Sequence, residues 1–171
     1  ATIDQIADQA GVTKPNILYY FDNKEAIHSQ LLSRLLDIWL QPLHQMNEDG
    51  DPCEEILAYI QRKLEMSRDF PRESKLFANE VLQGAPRIHD LISGELKKLV
   101  DQKVALIQSW ADAGKIAQID PYHLLFSIWA TTQHYADFDA QIRALMGKDH
   151  ANRYQGAEVF LKQLYMAMLK P

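Results

Sequence analysis

Residues 3–21, IDQIADQAGVTKPNILYYF, decide the fold because they contain two short helices separated by a tight turn. The first helix carries apolar residues at the i, i+3, i+4 and i+7 spacing of an amphipathic helix, namely Ile3, Ile6, Ala7 and Ala10. Ala7 is small enough to let a second helix cross closely. Gly11 follows, and a residue without Cβ adopts the left-handed conformation of a helix end at no steric cost. The stretch predicts two helices packed across a turn.

The second helix is predicted to begin after Thr13, whose hydroxyl can cap free backbone N–H groups. Lys14 and Pro15 stand in the first turn, where proline is tolerated because those N–H groups have no partner within the helix. A helix over residues 14–20 is short enough to lie in a major groove with its N-terminal side chains against base edges. The sequence therefore predicts a helix-turn-helix that reads DNA.

The second helix has a packing side and an exposed side. The predicted packing residues are Ile17, Leu18 and Phe21. Tyr19 and Tyr20 are left facing outwards, where phenol groups can hydrogen-bond phosphate oxygens, and Lys14 and Lys24 add positive charge. An αα-hairpin whose tyrosines complete a core is the alternative, and two short helices alone leave both interpretations open.

A third helix is predicted directly after the second, because Asn23 provides a polar cap and Glu25 places an acid in the first turn. With this segment the sequence resembles the TetR family of transcriptional regulators. The family pattern is matched by Ile6-Ala7, Ala10-Gly11-Val12-Thr13, Tyr19-Tyr20-Phe21 and Asn23-Lys24-Glu25. The resemblance implies an all-α fold in a chain that binds DNA.

The resemblance also implies that the chain has two parts with different functions. Residues 1–27 are expected to form the helix-turn-helix DNA-binding part, and residues 28–171 a helical ligand-binding and dimerisation domain. The residues expected to contact double-stranded operator DNA are Thr13, Lys14, Asn16, Tyr19, Tyr20 and Lys24. In this family another helix precedes position 2, so the chain is expected to be N-terminally incomplete.

Composition agrees with a regulator that has a large second part. A chain of 171 residues with 47% hydrophobic content can build a sizeable core, whereas the net charge of -5 argues weakly against nucleic acid as a partner. The single cysteine, Cys53, excludes an intrachain disulfide framework and is typical of a reducing cytoplasm. No apolar run reaches the length of a membrane span, so no membrane partner is expected.

Proline and glycine separate the predicted helices of the second part, and no alternating strand pattern is present. A long helix is expected to carry the DNA-binding part into this domain until Pro42 ends or kinks it. The further predicted helices cover residues 52–68, 71–83, 88–113 and 121–137, and a last helix follows Gly147.

The last two helices are predicted to form a homodimer interface, as they do in the TetR family. One carries an apolar stripe of Leu124, Ile128, Thr131 and Tyr135. The other has an apolar face too broad for one neighbour, made by Phe160, Leu161, Leu164, Tyr165, Met168 and Leu169. The alternative is that these faces complete the core of a single chain.

The opposite face of residues 121–137 carries Trp129 one turn before Gln133, which suits a planar polar ring that stacks and forms in-plane hydrogen bonds. A core tryptophan beside a satisfied glutamine is the alternative. Residues 37–43, 63–71, 84–86 and 119–138 are, however, similar to those of pyrimidine-responsive TetR-family members. This resemblance implies a uracil- or thymine-like effector, no cofactor, and a pocket of Trp39, Ser67, Trp129 and Gln133. A different small heterocyclic or hydrophobic ligand is the alternative.

A metal-dependent enzyme is the competing class, and its best candidates are His134, Asp137 and Asp139. His134 and Asp137 are three residues apart on one helix and could share a metal, but no second pair of ligands supports them. No glycine-rich phosphate loop or nucleophile elbow is present, so the chain is predicted not to be an enzyme. A helical adaptor without operator binding is a third possibility.

Overall fold

The computed structural model describes residues 1–171, and these form an all-α fold, as predicted. The ten α-helices are α1 (Ile3–Ala10), α2 (Lys14–Tyr20), α3 (Lys24–His44), α4 (Pro52–Asp69), α5 (Pro71–Leu82), α6 (His89–Leu91), α7 (Lys97–Asp112), α8 (Pro121–Asp137), α9 (Asp139–Met146) and α10 (Arg153–Leu169). A π-helical turn (Ile92–Leu96) lies between α6 and α7, and a 3₁₀ segment (Gly147–Asn152) precedes α10.

The predicted helix-turn-helix is confirmed. Gly11 ends α1 in the left-handed conformation with φ of 68°, and the Thr13 hydroxyl accepts a hydrogen bond from the Asn16 backbone N–H at the start of α2. Ala7 and Ile17 are the buried residues of the two helices. The prediction that Leu18 packs is wrong, because its side chain is 41% exposed and only the Ile17 side of α2 is covered.

Helix α3 joins the DNA-binding part to the rest of the molecule. It starts at Lys24, with the Asn23 side chain accepting a hydrogen bond from the Ala26 N–H, and it continues for 21 residues. Pro42 lies inside the last turn and does not stop it, since α3 ends two residues later at His44. Leu36, Trp39 and Leu43 face the core, so one continuous helix connects the predicted DNA contact Lys24 with the core.

The core is built around α4, which packs against α3, α5, α8 and α10. Asp51 caps α4 and Asp120 caps α8, each accepting a hydrogen bond from a backbone N–H three residues later. Several residues predicted to lie at an oligomer interface are instead buried in this core, which corrects that part of the prediction. They are Leu124, Ile128, Leu161, Tyr165 and Leu169.

Two segments differ from the predicted helices. Residues 88–113 do not form one uniform helix, because the backbone widens into the π-helical turn that contains Gly94. Helix α9 was not predicted, since eight residues are too few for a clear amphipathic repeat. An ion pair from Arg153 to Asp139 connects the start of α10 to α9, and Arg143 pairs with Asp139 within α9.

Candidate nucleic-acid interface and ligand cavity

The end of α2 presents two aromatic side chains to solvent. Tyr19 is 81% exposed and Tyr20 is 72% exposed, and their rings touch edge to face with centroids 5.0 Å apart. Within this chain the tyrosines therefore complete no core, which removes the αα-hairpin interpretation. Exposed phenol groups at the end of such a helix can donate hydrogen bonds to phosphate oxygens.

The other predicted DNA contacts are also exposed. Thr13 is committed to capping α2, Asn16 lies in the first turn of that helix, and Lys24 is the first residue of α3. The Lys14 ammonium forms an ion pair with Asp4 on α1, with 2.9 Å between Nζ and Oδ2. Because both partners are at least 48% exposed, this pair is weak and leaves Lys14 able to exchange partners with a phosphate.

A cavity lies between α3, α4, α5, α8 and the π-helical turn. Its volume is about 60 Å³, which is below the roughly 300–1,000 Å³ that is usual for small-molecule sites, so the lining side chains must move apart to admit a ring. Three of the four predicted ligand residues, Trp39, Trp129 and Gln133, line this cavity. The complete lining is Leu36, Trp39, Leu40, Tyr59, Lys63, Phe77, Leu96, Trp129 and Gln133.

Ser67, the fourth predicted ligand residue, does not line the cavity. It is fully buried one turn beyond Lys63 on α4, and its hydroxyl donates a hydrogen bond to the Lys63 carbonyl oxygen at 3.1 Å. The Ser67 carbonyl in turn accepts a hydrogen bond from the Tyr154 hydroxyl at 3.0 Å. The hydroxyl of Ser67 is thus bonded within α4, and its carbonyl links α4 to α10.

The two tryptophans of the cavity differ in their hydrogen bonding. The Trp129 Nε1–H donates to the Tyr59 hydroxyl at 2.7 Å, and Tyr59 is itself almost completely buried. The Trp39 Nε1 is buried and has no hydrogen-bond partner. Since buried polar groups are usually paired, the Trp39 N–H is a donor that a bound molecule can satisfy.

Sequence reasoning missed Lys63, which is only 3% exposed and lines the same cavity. Its ammonium lies over the Trp39 ring, 5.2 Å from the centroid, and forms no salt bridge. Burial lowers the pKa of Lys63 from 10.5 to about 7, with Asp137 opposing the shift. The available signal was its position: Lys63 falls between Tyr59 and Ser67 at intervals of four residues, on the apolar stripe of α4.

The stability of the chain is expected to depend on pH through Lys63. Between about pH 7 and pH 10.5 the unfolded chain binds a proton that the folded chain has lost, so stability rises with pH in this window. Relative to Lys63→Met, wild type should gain up to about 1.4 kcal/mol per pH unit. Below pH 7, where the full charge is buried, Lys63→Met should be the more stable protein.

Urea unfolding of both proteins at pH 6, 8 and 9.5 measures this difference. Groups other than Lys63 titrate alike in the two proteins, so their contributions cancel. A difference that stays constant across the three pH values would show that Lys63 does not titrate in this window.

The three candidate metal ligands are separated by their contacts. His134 stacks on Phe138, Asp137 accepts a hydrogen bond from the Ser74 hydroxyl at 2.6 Å, and Asp139 pairs with the two arginines. Burial raises the pKa of Asp137, and the Ser74 hydrogen bond opposes that rise. No group of three or more potential ligands in the chain could hold a metal ion.

Known protein families match both parts of the chain, the helix-turn-helix and the domain that contains the cavity. The family model described as "Bacterial regulatory proteins, tetR family" matches residues 1–31, and the model described as "YcdC-like protein, C-terminal region" matches residues 32–171. The chain belongs to the TetR family. It is 53% identical over 145 residues to the HTH-type transcriptional regulator RutR of Escherichia coli (strain K12) and to RutR of Shigella flexneri. Each alignment covers 85% of this chain and 68% of the relative.

Membership of the TetR family fixes the class of protein. The chain is a transcriptional regulator with a helix-turn-helix, and TetR-family proteins are DNA-binding regulators and not enzymes. None of its helices has the combination of length and apolar character that crossing a membrane requires.

Proposed function

We propose that this TetR-family regulator binds operator DNA as a homodimer and changes its operator affinity when a pyrimidine such as uracil or thymine enters the cavity. The observation that carries the proposal is the convergence of Trp39, Trp129 and Gln133 on one cavity. It acts, on this proposal, in the cytoplasm, where its DNA partner lies. The predicted similarity to pyrimidine-responsive members and the identity with RutR support the proposal.

The cavity suits a small planar ring with polar edges. Trp39 and Trp129 provide flat apolar surfaces, and the half-buried Gln133 offers both an amide donor and a carbonyl acceptor. A pyrimidinedione presents alternating C=O and N–H groups in its plane, which an amide can pair with. Seven of the nine lining residues are apolar, so a different small heterocyclic or hydrophobic ligand is the second candidate.

Helix α3 connects the DNA-binding part of the chain directly to the cavity. Lys24 at its start and Trp39 in the cavity are 15 residues apart on one continuous helix, or roughly 22 Å at 1.5 Å per residue. Arg87 adds a second link, because its guanidinium pairs with Glu25 on α3 and with the buried Glu80 on α5. A ligand changes the spacing of the two helix-turn-helix units in the dimer only if it binds one arrangement of the dimer more tightly than the other.

Thermal-shift screening of nucleobases against the full-length protein tests the ligand part of this proposal. Uracil and thymine should raise the melting temperature, since a ligand at 100 times its Kd stabilises the folded state by about 2.7 kcal/mol. Xanthine, with its larger bicyclic ring, serves as the comparison ligand. Stabilisation by an unrelated ring, with none by uracil or thymine, would favour the second candidate.

The DNA contacts are tested by Tyr20→Ala and Lys24→Ala in the full-length protein. Both changes should weaken binding to all DNA sequences, because phosphate contacts position the protein without reading bases. Loss of Lys24 should also reduce the slope of log affinity against log salt by about one. Fluorescence anisotropy at several salt concentrations measures both effects, with the exposed Lys115→Ala as control. Unchanged affinity in both variants would disprove these contacts.

A further inference from the structure

The cavity contains more hydrogen-bond donors than the chain uses. The Lys63 ammonium forms no salt bridge or hydrogen bond within the chain, and the buried Trp39 Nε1 has no partner. The Tyr59 hydroxyl accepts a hydrogen bond from Trp129, so its own proton remains to be donated. Trp39 on α3 and Tyr59 and Lys63 on α4 thus each line the cavity and carry a donor that has no partner within the chain.

Acceptors are scarce in the same cavity. Gln133 contributes one side-chain carbonyl oxygen, and the remaining lining residues are apolar: Leu36, Leu40, Phe77, Leu96 and Trp129. A buried donor without a partner costs free energy, and a buried ammonium costs more than a neutral donor. The missing acceptors must come from the bound molecule.

We propose that Lys63 is a specificity-determining residue, donating from its buried ammonium to an oxo oxygen of the ligand ring. This inference rests on the proposed ligand site, and it assigns a residue of the chain as the partner of the ligand's second polar edge. Gln133 on α8 then pairs with one edge of the ring, and Lys63 on α4 pairs with another. The cavity selects oxo-substituted rings and rejects rings that have lost the oxo group facing Lys63.

A purely structural role accounts poorly for this lysine. Long apolar side chains such as methionine fill the same space without burying a charge, and the contact with the Trp39 ring replaces only part of the lost hydration. The one acidic group whose charge acts on Lys63 is Asp137, which is already hydrogen-bonded to Ser74. The ammonium is therefore available to a ligand.

The test is isothermal titration calorimetry of full-length wild type and Lys63→Met at pH 6, where Lys63 carries its proton. The ligands are uracil, its two single-oxo analogues pyrimidin-2-one and pyrimidin-4-one, and xanthine. Lys63→Met should bind uracil roughly 10- to 100-fold more weakly, as expected for loss of a charge-assisted hydrogen bond. Wild type should discriminate strongly against one single-oxo analogue, and Lys63→Met should lose that discrimination. Thermal melts confirm that the variant is folded.

Lys103→Met is the matched control, because Lys103 donates to the Met46 carbonyl outside the cavity, and it should bind uracil like wild type. Equal uracil affinity in wild type and Lys63→Met would overturn the role of Lys63 while leaving the pyrimidine proposal intact. If wild type binds xanthine but not uracil, and Lys63→Met loses xanthine, the pyrimidine proposal fails and the role of Lys63 stands. Binding of none of these rings would overturn both.

Discussion

Leu164→Glu should convert the dimer into a monomer and abolish operator binding. The core uses one side of α10, with Leu161 and Tyr165 fully buried, whereas a second apolar stripe on the same helix is exposed in the single chain. That stripe is Phe160, Leu164 and Met168, and α8 adds the exposed Phe126. Phe160, Leu164 and Met168 are the part of the predicted interface that the core leaves exposed, and they remain the candidates for the surface between two copies.

The expected size of this effect follows from two-fold symmetry. One substitution places two glutamates in an isologous contact, and an uncompensated buried charge costs on the order of 3–5 kcal/mol. A palindromic operator is bound by the two helix-turn-helix units of a dimer, so a monomer should lose operator binding. Light scattering and anisotropy measure the two consequences.

Leu82→Glu is the matched control for this prediction. Leu82 at the end of α5 is 83% exposed, and a glutamate there should leave the dimer intact. A Leu164→Glu protein that remains a normal dimer would place the interface elsewhere.

Gln133→Ala and Trp129→Ala should separate ligand binding from stability. Gln133 is half-buried and pairs with no group of the chain, so its loss should weaken uracil binding by about 1–3 kcal/mol with little change in the free energy of unfolding. Trp129→Ala should reduce both, because it opens a void and removes the hydrogen bond to the buried Tyr59 hydroxyl. Large aromatic truncations in cores cost about 3–5 kcal/mol, and half-buried Trp129 should fall at the lower end.

Trp129→Phe is the conservative control, since it keeps a stacking ring but cannot donate to Tyr59. Its stability should lie between those of wild type and Trp129→Ala, and it should still bind uracil. Urea unfolding and calorimetry of the four proteins provide both readouts. If Gln133→Ala bound uracil as tightly as wild type, Gln133 would have no place in the site.

The features that could be predicted from sequence are those fixed by a few neighbouring residues. Gly11 and Thr13 define the turn and cap between α1 and α2, and Asp51 and Asp120 cap α4 and α8 at the predicted positions. Trp129 and Gln133 share a face because they are one turn apart on α8. Their convergence with Trp39 came from the family resemblance, because no local spacing relates α3 to α8.

The features that could not be predicted depend on how helices pack together. The place of Lys63 on the apolar stripe of α4 is visible in the sequence, but nothing local shows that neighbouring helices bury its charge. The apolar breadth of α10 was visible in the sequence, but not which of its two stripes faces the core. Likewise, the widened backbone at residues 92–96 has no local signal beyond Gly94.

The proposed response to pyrimidines is measured by titrating uracil into a complex of the full-length protein with a fluorescent operator fragment, which is first isolated as genomic DNA that binds the protein. At half-saturation of the DNA, uracil and thymine should each produce a saturable change in anisotropy. Gln133→Ala should require roughly 5- to 150-fold more uracil for the same change. If the anisotropy stays unchanged at saturating uracil and thymine, while wild type remains bound to the fragment, pyrimidines do not control operator binding.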